Sequence, residues 1–182
     1  MQKVTLISLF MFSWLFASRS ASIMETGSSY KEQVNWVSLK EAELILQKEK
    51  KPILIDLYTD WCGWCKVMDK QTYSHAKVVQ YINEHFIPVK LDAETKKVLN
   101  WKGKSYKYDQ KYRVNSYAMF LTGGQLSFPT TIFLPADGSD PQPVPGFLEP
   151  KDIEVILKYF GEGQYGKTAF QDYYKKFSST WK

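Results

Sequence analysis

The sequence predicts a domain of the α/β class, in which strands and helices alternate along the chain. Two segments, "PILIDLY" (52–58) and "FIPVKLDAE" (86–94), are short apolar runs typical of buried strands. Between them, "AKVVQYINEHF" (76–86) places its apolar residues on one side of a helix. Strand, helix and strand in this order form a parallel crossover, and a later hairpin adds antiparallel strands, so we expect a central mixed sheet flanked by helices.

Two further helices are predicted in the first half of the chain. The segment "SLKEAELILQKEKK" (38–51) begins with Ser38 and Glu41 at capping-box spacing and is expected to close at Lys50 and Lys51. "CKVMDKQTY" (65–73) is helical in character and follows the first strand after a short loop. Pro88, inside the second strand, indicates a sheet edge or a bulge.

The second half of the chain begins with its least regular part, residues 95–125. There we expect a hairpin turning at Lys102–Gly103 and a short helix that ends at Gly123 and Gly124. Two strands follow around the Asp137–Gly138 turn. The last predicted elements are helices in "EPKDIEVILKYFGEG" and "KTAFQDYYKKF", and no internal repeat interrupts the series.

The N-terminal residues have the character of an export signal. Lys3 precedes an apolar run over residues 4–17, and small residues at 17–22 offer cleavage points. The run is short for a membrane span, which needs about 20 residues. We therefore predict a signal peptide at 1–22, with an uncleaved anchor as the alternative, and a single domain at 23–182 in an oxidising compartment.

Composition indicates a packed globule: the 182 residues are 44% hydrophobic and 16% aromatic. Removing Lys3 and Arg19 with the signal would lower the formal charge from +5 to +3. That charge is too small to indicate nucleic-acid binding, and we expect none.

Both cysteines of the chain lie in one motif, "TDWCGWCK" (59–66). As a structural staple the pair would be weak, because closing a four-residue loop contributes about 2 kcal/mol against about 3 for fifteen residues. A zinc site needs four ligands, and His75 and His85 lack the spacing of a helical metal pair. A soft metal held by the two thiolates alone remains an alternative.

A redox couple explains the position of the motif as well as its spacing. Directly after a buried strand and at the first turn of a helix, Cys62 would meet unpaired backbone N–H groups that stabilise a thiolate. Cys62 would then attack a disulfide, and Cys65 would resolve the mixed disulfide. Asp56 lies within the apolar strand, where burial would raise its pKa and suit it to exchange a proton with Cys65; the alternative is a partly exposed strand-end residue.

The segment "ILIDLYTDWCGWCK" resembles the active-site strand, loop and helix of the thioredoxin superfamily. The resemblance implies that residues 61–66 form the active-site loop and that Asp56 is the family's buried carboxylate. Lys90 matches the lysine near that carboxylate, although taken alone it is an ordinary solvated strand residue. In "SFPTTIFL", Pro129 matches the family's cis-proline, on which an extended substrate backbone would be ordered.

The resemblance implies a thioredoxin-like three-layer fold with an insertion at 95–125 before the cis-proline strand. "KYRVNSYA" also resembles the segment leading to that proline, with Ala118 in its place, but a strand follows "FPTT" directly. Beyond the catalytic Cys62, Cys65, Asp56 and Pro129, it implies substrate contacts from Trp61, Gly63, Trp64, Phe128 and Thr130. The redox-active disulfide Cys62–Cys65 would serve in place of a cofactor, and no metal is expected.

The resemblance covers nearly all of the chain after the signal and is to exported bacterial thioredoxin-like proteins. It implies a monomeric periplasmic enzyme that exchanges disulfides with protein thiols, preferably as a reductase fed by a membrane electron donor. The oxidising direction stays open, and a soft-metal carrier or assembly factor is the competing class. For the basic residues of the insertion, the alternatives are a solvated face or a surface for an acidic partner or anionic membrane. For its aromatic residues, they are hairpin and core packing or a surface that grips the substrate.

Overall fold

The computed structural model describes residues 33–181, and these form the mixed α/β arrangement that the sequence predicts. Four strands form the central sheet in the order β2-β1-β7-β8, with β1 parallel to β2 and antiparallel to β7. Two short pairs, β3–β4 and β5–β6, lie apart from it. The strands are β1 (Ile53–Tyr58), β2 (Ile87–Asp92), β3 (Leu99–Trp101), β4 (Lys104–Tyr106), β5 (Tyr108–Asp109), β6 (Val114–Asn115), β7 (Thr130–Leu134) and β8 (Gln142–Pro145).

Helices cover both faces of the sheet. Alternate residues of β1 point to opposite faces: Ile53, Ile55 and Leu57 pack with α1 and the insertion, and Leu54 packs with α2, α3 and α5. The three layers of the predicted fold are therefore present. The helices are α1 (Leu39–Leu46), α2 (Gly63–Gln71), α3 (Ala76–His85), α4 (Ser116–Leu121), α5 (Pro150–Gly161) and α6 (Phe170–Lys176).

The start of α1 is as predicted, but its end is not. The Ser38 hydroxyl accepts a hydrogen bond from the Glu41 amide, and the Glu41 carboxylate accepts one from the Ser38 amide, which completes the capping box. The helix ends at Leu46, so Lys50 and Lys51 lie beyond it and not in its last turn. The amides of Lys48 and Glu49 both donate to the Ile45 carbonyl, so the chain leaves the helix through a turn before it reaches Pro52.

The insertion at 95–125 is more ordered than its sequence indicates. Its hairpin turns at the predicted Lys102 and Gly103, both with positive φ (47° and 75°). Asn115, buried at the start of α4, donates its side-chain amide to the carbonyl oxygens of Thr95 and Lys97 and so holds the entry to the insertion in place. The buried aromatic rings of the insertion, including Trp101 (5% exposed) and Tyr117 (0%), belong to the hydrophobic core.

Prolines interrupt the backbone donors at both edges of the central sheet. At one edge, the Pro88 carbonyl of β2 accepts a bond from the Val37 amide, and Val37 bridges Val89 in parallel. The edge that Pro88 indicates is confirmed. At the other edge, β8 has exposed prolines at positions 143 and 145. A proline donates no ladder bond, so β8 pairs with β7 on one side and offers few donors on the other.

The C-terminal segment is fastened to α5 by one buried carboxylate. Glu154 is 0% exposed and accepts hydrogen bonds from the Lys158 ammonium (2.7 Å) and from the Trp181 amide (3.0 Å). The hydroxyl groups of Ser179 (2.5 Å) and Thr180 (2.7 Å) also donate to it. Residues 179–181 are thereby held against the helix, with the Trp181 ring packed on Tyr81.

The predicted signal peptide at 1–22 lies outside the described residues, and the division of the chain into a signal and one domain stays a prediction. Within residues 33–181, no helix combines the length and apolarity needed to cross a membrane.

Candidate active site

The two cysteines lie where β1 passes into α2, and they are joined as a disulfide with their Cα atoms 5.3 Å apart. Cys62 is the N-cap residue of α2, and its Sγ accepts a hydrogen bond from the Cys65 amide at 3.0 Å. Both residues are 4% exposed. The sulfur of Cys62 thus occupies the position at which a helix offers free N–H groups and positive potential, as the spacing predicts.

Asp56 lies in the centre of β1, and the structure places it in the interior. It is 2% exposed, so its predicted burial is confirmed and the alternative of a partly exposed strand-end residue is excluded. Burial raises the pKa of Asp56 to about 6, although the nearby Lys90 ammonium opposes that rise. A carboxyl group with this pKa gains and loses a proton near neutral pH, which is the property required of an acid–base group.

Lys90 is paired with Asp56 by the register of the parallel strands β1 and β2. Its Nζ lies 3.0 Å from Asp56 Oδ2 and also donates to Asp69 on α2. The ammonium is stacked over the ring of Trp36 at 5.4 Å and of Tyr58 at 5.2 Å. Lys90 is therefore a half-buried ion-pair residue rather than a solvated strand residue.

Asp69 was not among the predicted site residues. It lies four residues after Cys65, one turn further along α2, and shares Lys90 with the buried Asp56. The i, i+4 spacing from Cys65 is the signal in the sequence that could have identified it. Asp69 is partly exposed, so the ion-pair network connects the interior to the protein surface.

The Phe128–Pro129 peptide bond is cis, as the resemblance implies. The Pro129 carbonyl accepts a bond from the Gly146 amide at 2.8 Å, which ties this turn to the loop after β8. The next residue, Thr130, is 1% exposed, and its hydroxyl donates to the Ser127 carbonyl at 2.8 Å. The Thr130 side chain therefore stabilises the turn. The resemblance implies that Thr130 contacts substrate, but its side chain is buried in this structure.

Aromatic rings surround the disulfide. Trp61 is 66% exposed and Trp64 is 62% exposed, and Gly63 lies exposed between the cysteines. The Trp61 indole donates to Glu94 at 3.0 Å and packs edge-on against Phe128, with ring centres 5.9 Å apart. Trp61 is thus in contact with Phe128, and Gly63 and Trp64 lie exposed nearby in the chain; that these residues contact a substrate stays a prediction.

Phe147 extends this aromatic surface and was missed from the sequence. Its ring lies 5.5 Å from that of Trp64. The loop carrying it is fixed to α2, because the Thr72 hydroxyl donates to the Leu148 carbonyl at 2.5 Å. Nothing in "PVPGFLE" marks Phe147 as a site residue, since only the return of β8 to the sheet brings it near the cysteines.

No cluster of metal ligands was found in the part of the chain that the structure describes. His75 is the N-cap residue of α3 and His85 is its last residue, so the two histidines lie at opposite ends of one helix. As the sequence predicts, they are helix-end residues rather than a metal pair.

Comparison with known protein families agrees with this geometry. The family Thioredox_DsbH, described as "Protein of unknown function, DUF255", matches residues 15–182, which is most of the chain. The chain belongs to the Thioredox_DsbH family. Its fold is thioredoxin-like, and proteins named for thiol–disulfide exchange are among its relatives.

Two of these relatives match different shares of this Thioredox_DsbH chain. The thiol:disulfide interchange protein DsbD of Salmonella typhi is 31% identical over 75 residues, which are 39% of this chain and 12% of DsbD. A protein disulfide-isomerase of Schizosaccharomyces pombe is 28% identical over 125 residues, 69% of this chain and 28% of the isomerase. The chain therefore spans only a small part of either relative's length.

A solved structure named DsbH oxidoreductase superposes on this Thioredox_DsbH chain with a TM-score of 0.53. The match covers 78% of this chain and 93% of the other, at 17% sequence identity. At that identity the likeness concerns the fold, and it confirms the predicted thioredoxin-like architecture.

Proposed function

We propose that this protein is a thiol–disulfide oxidoreductase that exchanges disulfides with protein thiols and acts preferably as a reductase. The observation that carries the proposal is the Cys62–Cys65 disulfide at the start of α2, directly after a strand that holds the buried Asp56, whose pKa is raised to about 6. The names of the relatives, thiol:disulfide interchange protein and protein disulfide-isomerase, support the same class of reaction.

In the reducing direction, the cycle begins with both cysteines reduced. The Cys62 thiolate attacks one sulfur of a substrate disulfide; a new S–S bond joins enzyme and substrate, and one substrate sulfur leaves as a thiolate. The Cys65 amide, 3.0 Å from Cys62 Sγ, and the start of α2 stabilise negative charge on the attacking sulfur.

The second step releases the substrate and regenerates the enzyme disulfide. Cys65 passes its proton to the ionised Asp56, and its sulfur attacks Cys62 within the mixed disulfide. The bond from Cys62 to the substrate breaks, the second substrate sulfur leaves as a thiolate, and the Cys62–Cys65 bond forms. Two electrons have then moved from the enzyme to the substrate, and we propose that a membrane donor returns them.

The substrate backbone would lie beside Pro129. No hydrogen bond involves the backbone N–H or C=O of Phe128 within residues 33–181, so both groups are free to pair with an extended peptide. The exposed rings of Trp61 and Trp64 flank that position and would cover apolar side chains next to the substrate cysteine. We further propose export to the periplasm, which the apolar N-terminal segment supports.

A trapping experiment tests the proposal. In Cys65→Ser the resolving sulfur is absent, so mixed disulfides with substrate proteins should accumulate. Dithiothreitol should reduce these disulfides and release the substrates. Cys62→Ser, which keeps one thiol but lacks the attacking one, is the matched control and should trap far less. Alkylation-monitored titration of the wild-type pair against glutathione gives the potential and thus the preferred direction.

The competing class, a soft-metal carrier, predicts a different outcome. If Cys65→Ser traps no partner while copper(I) or zinc binds stoichiometrically to reduced wild-type protein and to neither cysteine variant, the oxidoreductase proposal is wrong.

A further inference from the structure

A cavity of about 170 Å³ lies at the end of the sheet opposite the cysteines. Its position follows from two of its lining residues: Ile53 begins β1 and is paired with Leu134, the last residue of β7. The disulfide follows the other end of β1, about 17 Å away at the rise of a strand. The apolar side chains around the cavity are Leu46, Ile53, Trp101, Tyr106, Phe120 and Leu134.

The insertion builds one wall of this cavity. Trp101 and Tyr106 come from the hairpin of β3 and β4, and Phe120 comes from α4. Trp101 is buried and Tyr106 is partly buried, whereas Phe120 is 46% exposed. A ligand in the cavity would therefore meet aromatic surface on the side that the insertion contributes.

Two lysines of the same hairpin stand at the rim. Lys102 and Lys104 line the cavity, and in the described part of the chain neither ammonium has a carboxylate within 4.0 Å. The Lys102 ammonium lies over the Trp101 ring, 5.9 Å from its centre. Asp140 also lines the cavity, so the rim carries a net charge of one positive unit, with two cations free to bind an anion.

The hairpin turn and one hydrogen bond fix the position of Lys102. Its φ of 47° is a conformation that favours Gly, Asn or Asp, and a lysine there costs free energy. The Lys102 amide also donates to Glu43 Oε1 at 2.8 Å, which fastens the tip of the hairpin to α1 and holds the rim in position.

We propose that this cavity is a binding site for a small aromatic carboxylate. Its volume of about 170 Å³ suits a single ring, since a protein cavity of about 150 Å³ holds benzene. It is too small for a nucleotide or another ligand of the size held by pockets of about 300–1,000 Å³. The ring would pack against Trp101 and Phe120, and the carboxylate would meet the two free ammonium groups.

The site is separate from the disulfide, so it provides a role for the insertion that goes beyond disulfide exchange. A ligand there touches none of the residues of the proposed reaction. Binding and redox activity can therefore be tested independently, and the failure of one does not decide the other.

Phenylacetate is a suitable probe, observed through the backbone amide NMR signals of the full oxidised chain. We expect saturable shifts at Gly103 and Gly138, next to the cavity, and none at Gly63. The neutral isostere phenylacetamide should bind about tenfold more weakly, because it lacks the charge that pairs with the two lysines.

Matched double variants complete the test. Lys102→Gln with Lys104→Gln should weaken phenylacetate binding about tenfold, whereas Lys96→Gln with Lys97→Gln removes the same charge from the same insertion and should leave the affinity unchanged. The amide spectrum reports whether each variant is folded. The proposal is overturned if phenylacetate causes no saturable shift, if phenylacetamide binds equally well, or if both double variants weaken binding alike.

Discussion

Two buried carboxylates, Asp56 on β1 and Glu154 on α5, have opposite properties. Asp56 is 2% exposed and Glu154 is 0% exposed, so both have left water almost completely. Burial raises the pKa of Asp56 to about 6. Burial would also raise the pKa of Glu154, but hydrogen bonds from Lys158, Ser179 and the following residues lower it to about 2.

The difference lies in the donors around each group. Asp56 has Lys90 as its charged partner and shares that lysine with Asp69. Glu154 receives Lys158 together with two hydroxyl and two backbone donors from the C-terminal segment. A buried acid that is fully supplied with donors stays ionised and acts as an anchor, whereas an undersupplied one holds a proton that it can exchange.

The largest effect is expected at the anchor. Glu154→Ala leaves the half-buried Lys158 and the donors of residues 179–181 without their acceptor, and should lower the free energy of unfolding by about 3–5 kcal/mol. Urea denaturation of the oxidised protein measures this change. Glu49→Ala removes an exposed glutamate paired with Lys51 and should change stability by less than about 1 kcal/mol. Equal effects in the two variants would contradict the anchoring role.

Asp56→Asn should have the opposite sign. Because the folded pKa of about 6 lies above the ordinary 3.8, ionisation of Asp56 costs the wild-type protein stability as pH rises between these values. The variant should therefore be more stable than wild type by about 3 kcal/mol at pH 8, with the difference disappearing below pH 4. Denaturation across pH 3.5–8 measures it, and a pH-independent difference would show that Asp56 is not titrating.

For Glu154 the pH dependence should run the other way. The folded pKa of about 2 lies below the ordinary 4.5, so the stabilisation is complete above pH 4.5 and is lost as pH falls toward 2. The stability difference between wild type and Glu154→Gln, followed from pH 7 to pH 2.5, should shrink over that window. A constant difference would mean that the Glu154 side chain contributes through packing alone.

The smallest expected change sharpens the comparison by removing the one strong donor of Asp56. Lys90→Met takes away the ammonium 3.0 Å from Asp56 and should raise the pKa of that carboxyl above its present value of about 6. An NMR titration of the carboxyl carbon measures the shift. Lys66→Met, an exposed lysine next to Cys65, should leave the Asp56 pKa near 6. A similar rise in both variants would indicate a general charge effect.

Much of this architecture could be predicted from local patterns. The capping box at Ser38, the apolar strand around Asp56, the Lys102–Gly103 turn and the end of α4 are all encoded by neighbouring residues, and the structure has them where the sequence indicates. The position of the cysteine motif at the start of α2 could also be predicted, because strand, loop and helix are contiguous in the chain.

Contacts between distant segments could not be predicted in this way. Glu154 is a charged residue between the buried Ile153 and Val155, yet its partners Ser179 and Trp181 lie more than 20 residues away, beyond any helical spacing. Phe147 reaches Trp64 only through the return of β8. The end of α1 at Leu46, before Lys50 and Lys51, also differs from the prediction.

The prolines at the sheet edges have a consequence for association with other chains. An open sheet edge can pair with an exposed strand of another chain and nucleate aggregation. Here Pro88 and the Val37 bridge close one side, and Pro143 and Pro145 close the other. Among the described residues, Phe128, in contact with Trp61, keeps both its N–H and its C=O free for an extended backbone.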